Sequence, residues 1–140
     1  MKVKIFTIGK LSLKPAGSLV EEYQKRIAHY LPFEITSFKT IETSLGKIEP
    51  QDFLVVLDER GKTFTSIAFA KWLEDKKLHA TKSLVFLVGP GEGLSDAIKK
   101  RANLLLRLSD FTLQHELALV ILMEQIYRSC TILKGEPYHK

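Results

Sequence analysis

Three glycines in five positions, Gly89, Gly91 and Gly93, stand where the apolar run Ser83 to Val88 gives way to a helix-like segment. Glycine has no Cβ, so it permits positive φ and lets main-chain N–H and C=O groups approach a flat ligand with no side chain between. The segment Val88-Gly89-Pro90-Gly91-Glu92-Gly93-Leu94 therefore reads either as a ligand-approach loop or as a tight turn without a ligand. It is not a phosphate loop of a known type. A Walker loop ends in Gly-Lys-Ser/Thr, which is absent, and a dinucleotide fingerprint needs a spacing that these glycines do not supply.

A loop of this kind needs strands to hold it, and the apolar pattern provides them. Lys2 to Ile8 sets Val3 and Ile5 against Phe6 and Ile8, a strand buried on both faces that Gly9 ends. Pro15 to Tyr30 reads as a helix with Leu19, Tyr23, Arg26, Ile27 and Tyr30 at helical spacing, Pro15 and Ser18 as start signals and Pro32 as the stop. Phe33 to Phe38 is a short strand, and Lys39 to Gln51 a polar connection. Phe53 to Leu57 is a fully apolar strand that breaks into a charged turn, Asp58-Glu59-Arg60-Gly61-Lys62. Thr65 to Leu78 is an amphipathic helix capped by Thr65 or Ser66, and Ser83 to Val88 is the fourth strand. Ser95 caps a helix running to about Asn103, Leu104 to Leu108 is a fifth strand, and His115 to Leu133 is the last helix. Alternating strands and helices with continuous apolar strands point to an α/β fold, a mostly parallel sheet flanked by helices. In such sheets ligands bind at loops beyond the strand C-termini.

The totals set the class. At 140 residues the chain reads as one domain, 1–140, able to bury a core without disulfides or metal. The run Leu117 to Met123 is far short of a membrane span of about 20 residues, and the start of the chain shows no signal-peptide pattern, so a cytoplasmic protein is expected. The single Cys130 is expected to be a buried, inert thiol. A net charge of +5 suits an acidic partner such as nucleic acid, although the basic residues are dispersed. The last helix is apolar all round at 117–123, which predicts a second surface against it, most economically another copy of the chain.

Three loops at strand ends, 57–62, 88–94 and 108–113, combine with Glu124-Gln125-Ile126-Tyr127-Arg128 and the terminal Gly135-Glu136-Pro137-Tyr138-His139-Lys140. In that combination the chain resembles the RlmH (YbeA-like) family of SPOUT methyltransferases over its whole length. The resemblance implies a C-terminal trefoil knot, a homodimer, and S-adenosylmethionine as methyl donor. It also implies, as substrate, the N3 nitrogen of a pseudouridine in large-subunit ribosomal RNA, with no membrane or metal involved. Carried over by position, it assigns the cofactor to Leu57, Gly89 and the loop Leu108, Ser109, Asp110, Phe111, Thr112 and Leu113. These types suit an adenine ring, which needs apolar walls and backbone partners, although each leucine is equally suited to plain core packing. On the acceptor side the resemblance points to His139 as the base that removes the imide proton, Tyr138 as a stacking group and Arg128 as a phosphate ligand. A solvated tail at His139 and an Arg128–Glu124 ion pair are the alternatives.

The chain departs from the family in the loop before the last helix. The usual Thr-x-Pro-His, with Arg four residues on, is here Thr112, Gln114, His115 and Leu119. Loss of the proline predicts a looser backbone, and loss of the arginine removes a charge that would meet RNA or a partner subunit. The paired glycines after the fourth strand are here Gly89-Pro90. His115 reads as a helix-start residue. Two other readings stay open: a non-catalytic RNA- or cofactor-binding module of the same fold, and a small nucleotide-binding regulatory α/β domain. Enough contact area for a dimer of modest charge predicts the assembled ribosome, rather than naked RNA, as the partner.

Overall fold

Strands whose neighbours in sequence are all apolar can lie only in a sheet covered on both sides. The structure, a computed structural model, describes residues 1–89 and 94–140; Pro90, Gly91, Glu92 and Gly93 of the glycine-rich segment lie outside the described residues. Five strands, β1 (Lys2–Ile8), β2 (Phe33–Phe38), β3 (Phe53–Lys62), β4 (Ser83–Val88) and β5 (Leu104–Leu106), form one sheet in the order β2-β1-β4-β3-β5. Every pairing is parallel. Helices α1 (Lys14–Ala28), α2 (Ile41–Leu45), α3 (Ser66–Leu78), α4 (Asp96–Arg101) and α5 (His115–Leu133) complete the α/β fold.

The period of two along each strand divides the core into two halves. Val3 and Ile5 of β1, Val55 of β3 and Leu84 and Phe86 of β4 face one side, where they meet Val20, Ile27, Phe69, Leu73, Leu122 and Ile126 of α1, α3 and α5. Phe6, Leu54, Val56, Val85 and Leu87 face the other, against Ile98 of α4 and the half-buried Ile41 and Leu45 of α2. The central strand β4 is buried at every position. Its C-terminal end is therefore fixed, and the glycine-rich segment leaves from a rigid point.

Several expected boundaries shift for local reasons. The polar connection Lys39 to Gln51 contains α2, which the Thr40 hydroxyl caps by accepting from the Thr43 N–H at 3.1 Å. Thr65, not Ser66, caps α3, accepting from Ala68 N–H at 3.1 Å. On α1 the buried stripe is Ala16, Val20 and Ile27, whereas Leu19 is exposed; the helix also stops at Ala28, before Tyr30. The expected turn at 58–62 is a continuation of β3: the chain bulges after Leu57 and returns at Lys62, and both residues register with Leu106. Gly61 makes that return possible, because a Cβ there would lie 2.5 Å from the Leu105 carbonyl carbon and 2.7 Å from Leu106 N. The fifth strand ends at Leu106 rather than Leu108, and α4 ends at Arg101.

Much of the apolar circumference of α5 is satisfied inside the chain. α5 packs on α1 and α3 as well as on the sheet, so its all-round apolarity does not by itself require a second copy. What stays exposed is at its two ends: Leu117, with the nearby Leu11 and Leu13, at the N-terminal end (50%, 39% and 43% accessible), and Leu133 at the C-terminal end (37%). Cys130 is buried, and burial pushes its thiol up to about 11. Among the described residues no helix is long and apolar enough to cross a membrane, and no group of three metal-ligating side chains occurs.

Candidate active site

The C-terminal ends of β3 and β4 and the segment after β5 converge on a cleft of about 290 Å³, which α4 and the first turn of α5 close from the side. That volume is at the small end of the roughly 300–1,000 Å³ usual for small-molecule sites. Of the residues assigned to a cofactor, Leu57, Gly89, Leu108, Ser109, Phe111 and Leu113 line this cleft. Asp110 and Thr112 do not line it. Asp110 turns outward, 89% exposed, and meets the Arg107 guanidinium at 3.3 Å, while Thr112 lies on the surface. The Ser109 hydroxyl accepts from the Phe111 N–H at 2.9 Å, a local turn that holds Phe111 at the rim.

The φ of Gly89 lies outside the positive region, and a Cβ built on it meets no atom of the described residues within 4 Å. Among the described residues, then, nothing demands glycine there, and its bare backbone lines the cleft. The walls suit a nucleoside with a charged tail: Leu57, Val88, Leu108 and Leu113 are apolar, and Asp58, Glu59, Arg60, Lys99 and Arg107 supply charges of both signs. The Nε of Arg107 is shielded from solvent with no acceptor among the described residues.

The departures in the loop before α5 acquire specific roles. Gln114, where proline was expected, is the N-cap: its side-chain oxygen accepts from Glu116 N–H at 2.8 Å and Leu117 N–H at 3.0 Å. The expected loosening is thus offset by a side-chain cap. Leu119, where arginine was expected, is fully buried in the core, so a charge at this position would not have reached RNA without changing the packing. His115 begins α5 and lines the cleft.

Glu116, a residue that sequence reasoning missed, ties the segment after β1 to this helix start. Its carboxylate is 1% exposed and accepts from Ser12 N–H at 2.6 Å, Leu13 N–H at 3.1 Å and the Ser12 hydroxyl at 2.8 Å. Hydrogen bonding from the Leu13 backbone outweighs burial and, with the Ser12 and Gln114 contacts, holds the carboxyl down at about 2. Arg107 and Lys99 were also missed as cleft residues. The signal for Arg107 was a cation inside the apolar run Leu104 to Leu108; Glu116 had none, because its partners are about a hundred residues away in sequence.

The acceptor-side candidates assemble elsewhere. Tyr138 packs edge-on to Tyr127 at 4.7 Å, and the Arg128 guanidinium lies over the Tyr138 ring at 4.8 Å. Arg128 Nε also donates to Glu124 at 2.7 Å, the ion pair that stood as the alternative to a phosphate contact, and its Nη1 donates to His139 Nδ1 at 3.0 Å. The Tyr30 hydroxyl donates to Glu136 at 2.6 Å. The terminal residues are thus docked on α1 and α5 rather than frayed. Burial, with a hydrogen bond to Tyr23, pushes the Tyr138 phenol up to about 12, so it stays protonated at neutral pH. Arginine can only donate, so His139 Nδ1 is the accepting nitrogen, and the neutral ring carries its proton on Nε2.

The structure brings six of the eight cofactor-side residues together at the cleft, and the acceptor-side residues together at the far part of α5. Arg128 follows the cleft residue Ala118 by ten positions of the same helix, roughly 15 Å at about 1.5 Å per residue.

Residues 1–139 match the family model described as "Predicted SPOUT methyltransferase". The chain is 39% identical to a Ribosomal RNA large subunit methyltransferase H of Parabacteroides distasonis, with 99% of each chain covered. It is 38% identical to the protein of that name from Streptococcus pneumoniae over 100% of both chains, and 37% identical to that of Flavobacterium psychrophilum over 99% of both. With a family match over nearly its full length, a parallel sheet of the expected kind and a cleft at its strand ends, the chain belongs to the SPOUT methyltransferase family.

Proposed function

We propose that this chain methylates the N3 nitrogen of a pseudouridine in large-subunit ribosomal RNA, with S-adenosylmethionine as donor, as a homodimer in the cytoplasm. The observation that carries the reading is the single apolar-walled cleft that collects six of the eight cofactor-side residues. The shared name of the relatives favours an rRNA methyltransferase over a binding module of the same fold or a nucleotide-binding regulatory domain. When bound, S-adenosylmethionine supplies a methyl group on a positively charged sulfur. Leu57, Leu108 and Leu113 hold the adenine, and Gly89 leaves room for close approach of its backbone.

The remaining residues serve the acceptor. Near-attack geometry needs the base and the donor within a few ångström, which the separation along α5 denies to one chain. In this reading the tail of one subunit therefore serves the cleft of its partner. Tyr138, protonated and partly buried, stacks on the flipped base. His139 takes the N3 proton on Nδ1 once Arg128 turns from that nitrogen to an RNA phosphate. The trefoil knot of the family belongs to the same reading. An assembled ribosome supplies the contact area that a dimer with dispersed charge lacks.

The test has two stages. Isothermal titration with S-adenosylmethionine, ATP and NAD, alongside the mass in solution, is expected to show selective binding of S-adenosylmethionine by a dimer. Methyl transfer to ribosomes from a strain lacking the protein is then expected at one pseudouridine. A monomer with no preference among the three ligands would overturn the reading.

A further inference from the structure

Arg107 is a charged side chain of the cleft to which the reading above gives no role, and it carries a buried donor without a partner among the described residues. It leaves β5 at the cleft wall, where its backbone N–H donates to the Lys62 carbonyl at 2.9 Å. Among the described residues its Nη2 meets Asp110 at 3.3 Å, and that carboxylate is 89% exposed, so the pair is screened by water and holds the guanidinium weakly. Its Nε–H is shielded from solvent and donates to nothing among the described residues. A buried donor without a partner is costly, and guanidinium presents Nε and Nη as a planar fork that matches the two oxygens of an oxyanion.

We infer that Arg107 is the anchor for the carboxylate of the donor's amino-acid group, a role that rests on the cofactor assignment proposed above. The alternative oxyanion is an RNA phosphate. Polymer phosphates meet the surface first, where the exposed Arg60 guards the cleft, whereas the unpartnered Nε lies below the surface. The cleft's other charges fit the same assignment. Asp58 and Glu59 offer carboxylates to the ammonium that accompanies the carboxylate on the same carbon. Apolar walls at Leu57 and Leu113 then receive the opposite, adenosine end of the ligand.

Isothermal titration with two ligands tests the assignment without turnover: S-adenosylhomocysteine, which carries the amino-acid group, and 5′-methylthioadenosine, which lacks it. Arg107→Gln is expected to weaken the first by about tenfold or more and the second by less than about twofold. Asp110→Asn, which removes the visible partner of Arg107, is expected to change neither by more than about twofold. Equal losses on both ligands would make Arg107 a structural residue and overturn the inference. Unchanged binding of both, with a raised KM for ribosomes, would assign it to phosphate and overturn it equally. Failure of the unaltered protein to bind either ligand would remove the cofactor reading itself, a result distinct from the other two.

Discussion

The cleft and the docked tail are built by opposite means. The cleft is held by the backbone of buried strands, with Gly89 in its lining and Gly61 letting β3 close on β5. The tail is made from side chains, Tyr23, Tyr30, Tyr127, Tyr138 and Arg128, meeting through ring edges, cation–π contacts and hydrogen bonds. Backbone on a buried sheet has little freedom to adjust, whereas side chains on helix surfaces repack at small cost. The difference matches the proposed division of labour. A cofactor of constant shape suits a preformed cleft, and an acceptor base extracted from a large RNA suits a surface that rearranges.

Substitutions separate the two regions. The largest effect is expected at Gly61, where Gly61→Val forces a side chain into the backbone of Leu105 and Leu106 and costs about 3 kcal/mol or more of stability. Urea denaturation measures it, and an unchanged midpoint would mean that the two segments do not pack this tightly. Next, His139→Ala is expected to lower kcat about a hundredfold while leaving S-adenosylmethionine affinity intact. Loss of cofactor affinity instead would place the tail inside the cleft's own chemistry and erase the comparison. Gly89→Val is expected to do the reverse, weakening cofactor binding by about tenfold while leaving the melting temperature unchanged, because the side chain enters the cleft and a Cβ there meets no atom of the described residues within 4 Å. Affinity equal to that of the unaltered protein would remove Gly89 from the site.

The smallest effect sharpens the boundary between the β1–α1 segment and α5. Glu116 titrates near 2 in the folded chain against 4.5 for a free carboxyl, so the folded state binds fewer protons across that interval. Its contribution is therefore complete above about pH 4.5 and is lost as the pH falls toward 2. Compared with Glu116→Gln, the unaltered protein should melt higher at pH 7, and the gap should close on acidification. A gap independent of pH would show that the latch works by shape rather than charge.

The strands β1, β2 and β4 were legible in the sequence to the residue, as was α5, because their apolar periods are long and bounded by glycine, proline or a capping residue. α2 was not, since its five residues carry too little pattern to distinguish a helical turn from a loop. The continuation of β3 through Gly61 was hidden because five charged or glycine residues in a row look like a turn until the partner strand is known. The site divided in the same way. Leu57, Gly89 and Leu108, assigned through the family resemblance, line the cleft although β3 runs on past Leu57 and β5 stops short of Leu108, whereas Asp110 and Thr112 share the last loop without facing the cleft.

By itself, then, the sequence determined the fold class and the family whose residues it carries, because period, glycine placement and terminal motif are local properties of the chain. Only the tertiary structure decided which loop residues face the cleft, that Leu119 is core and Gln114 a cap, that the buried Glu116 latches to Ser12 and Leu13, and that Arg107 keeps a donor without a partner among the described residues. Those facts depend on partners far away in sequence, and on which side of the backbone a group emerges. Neither is written in local spacing.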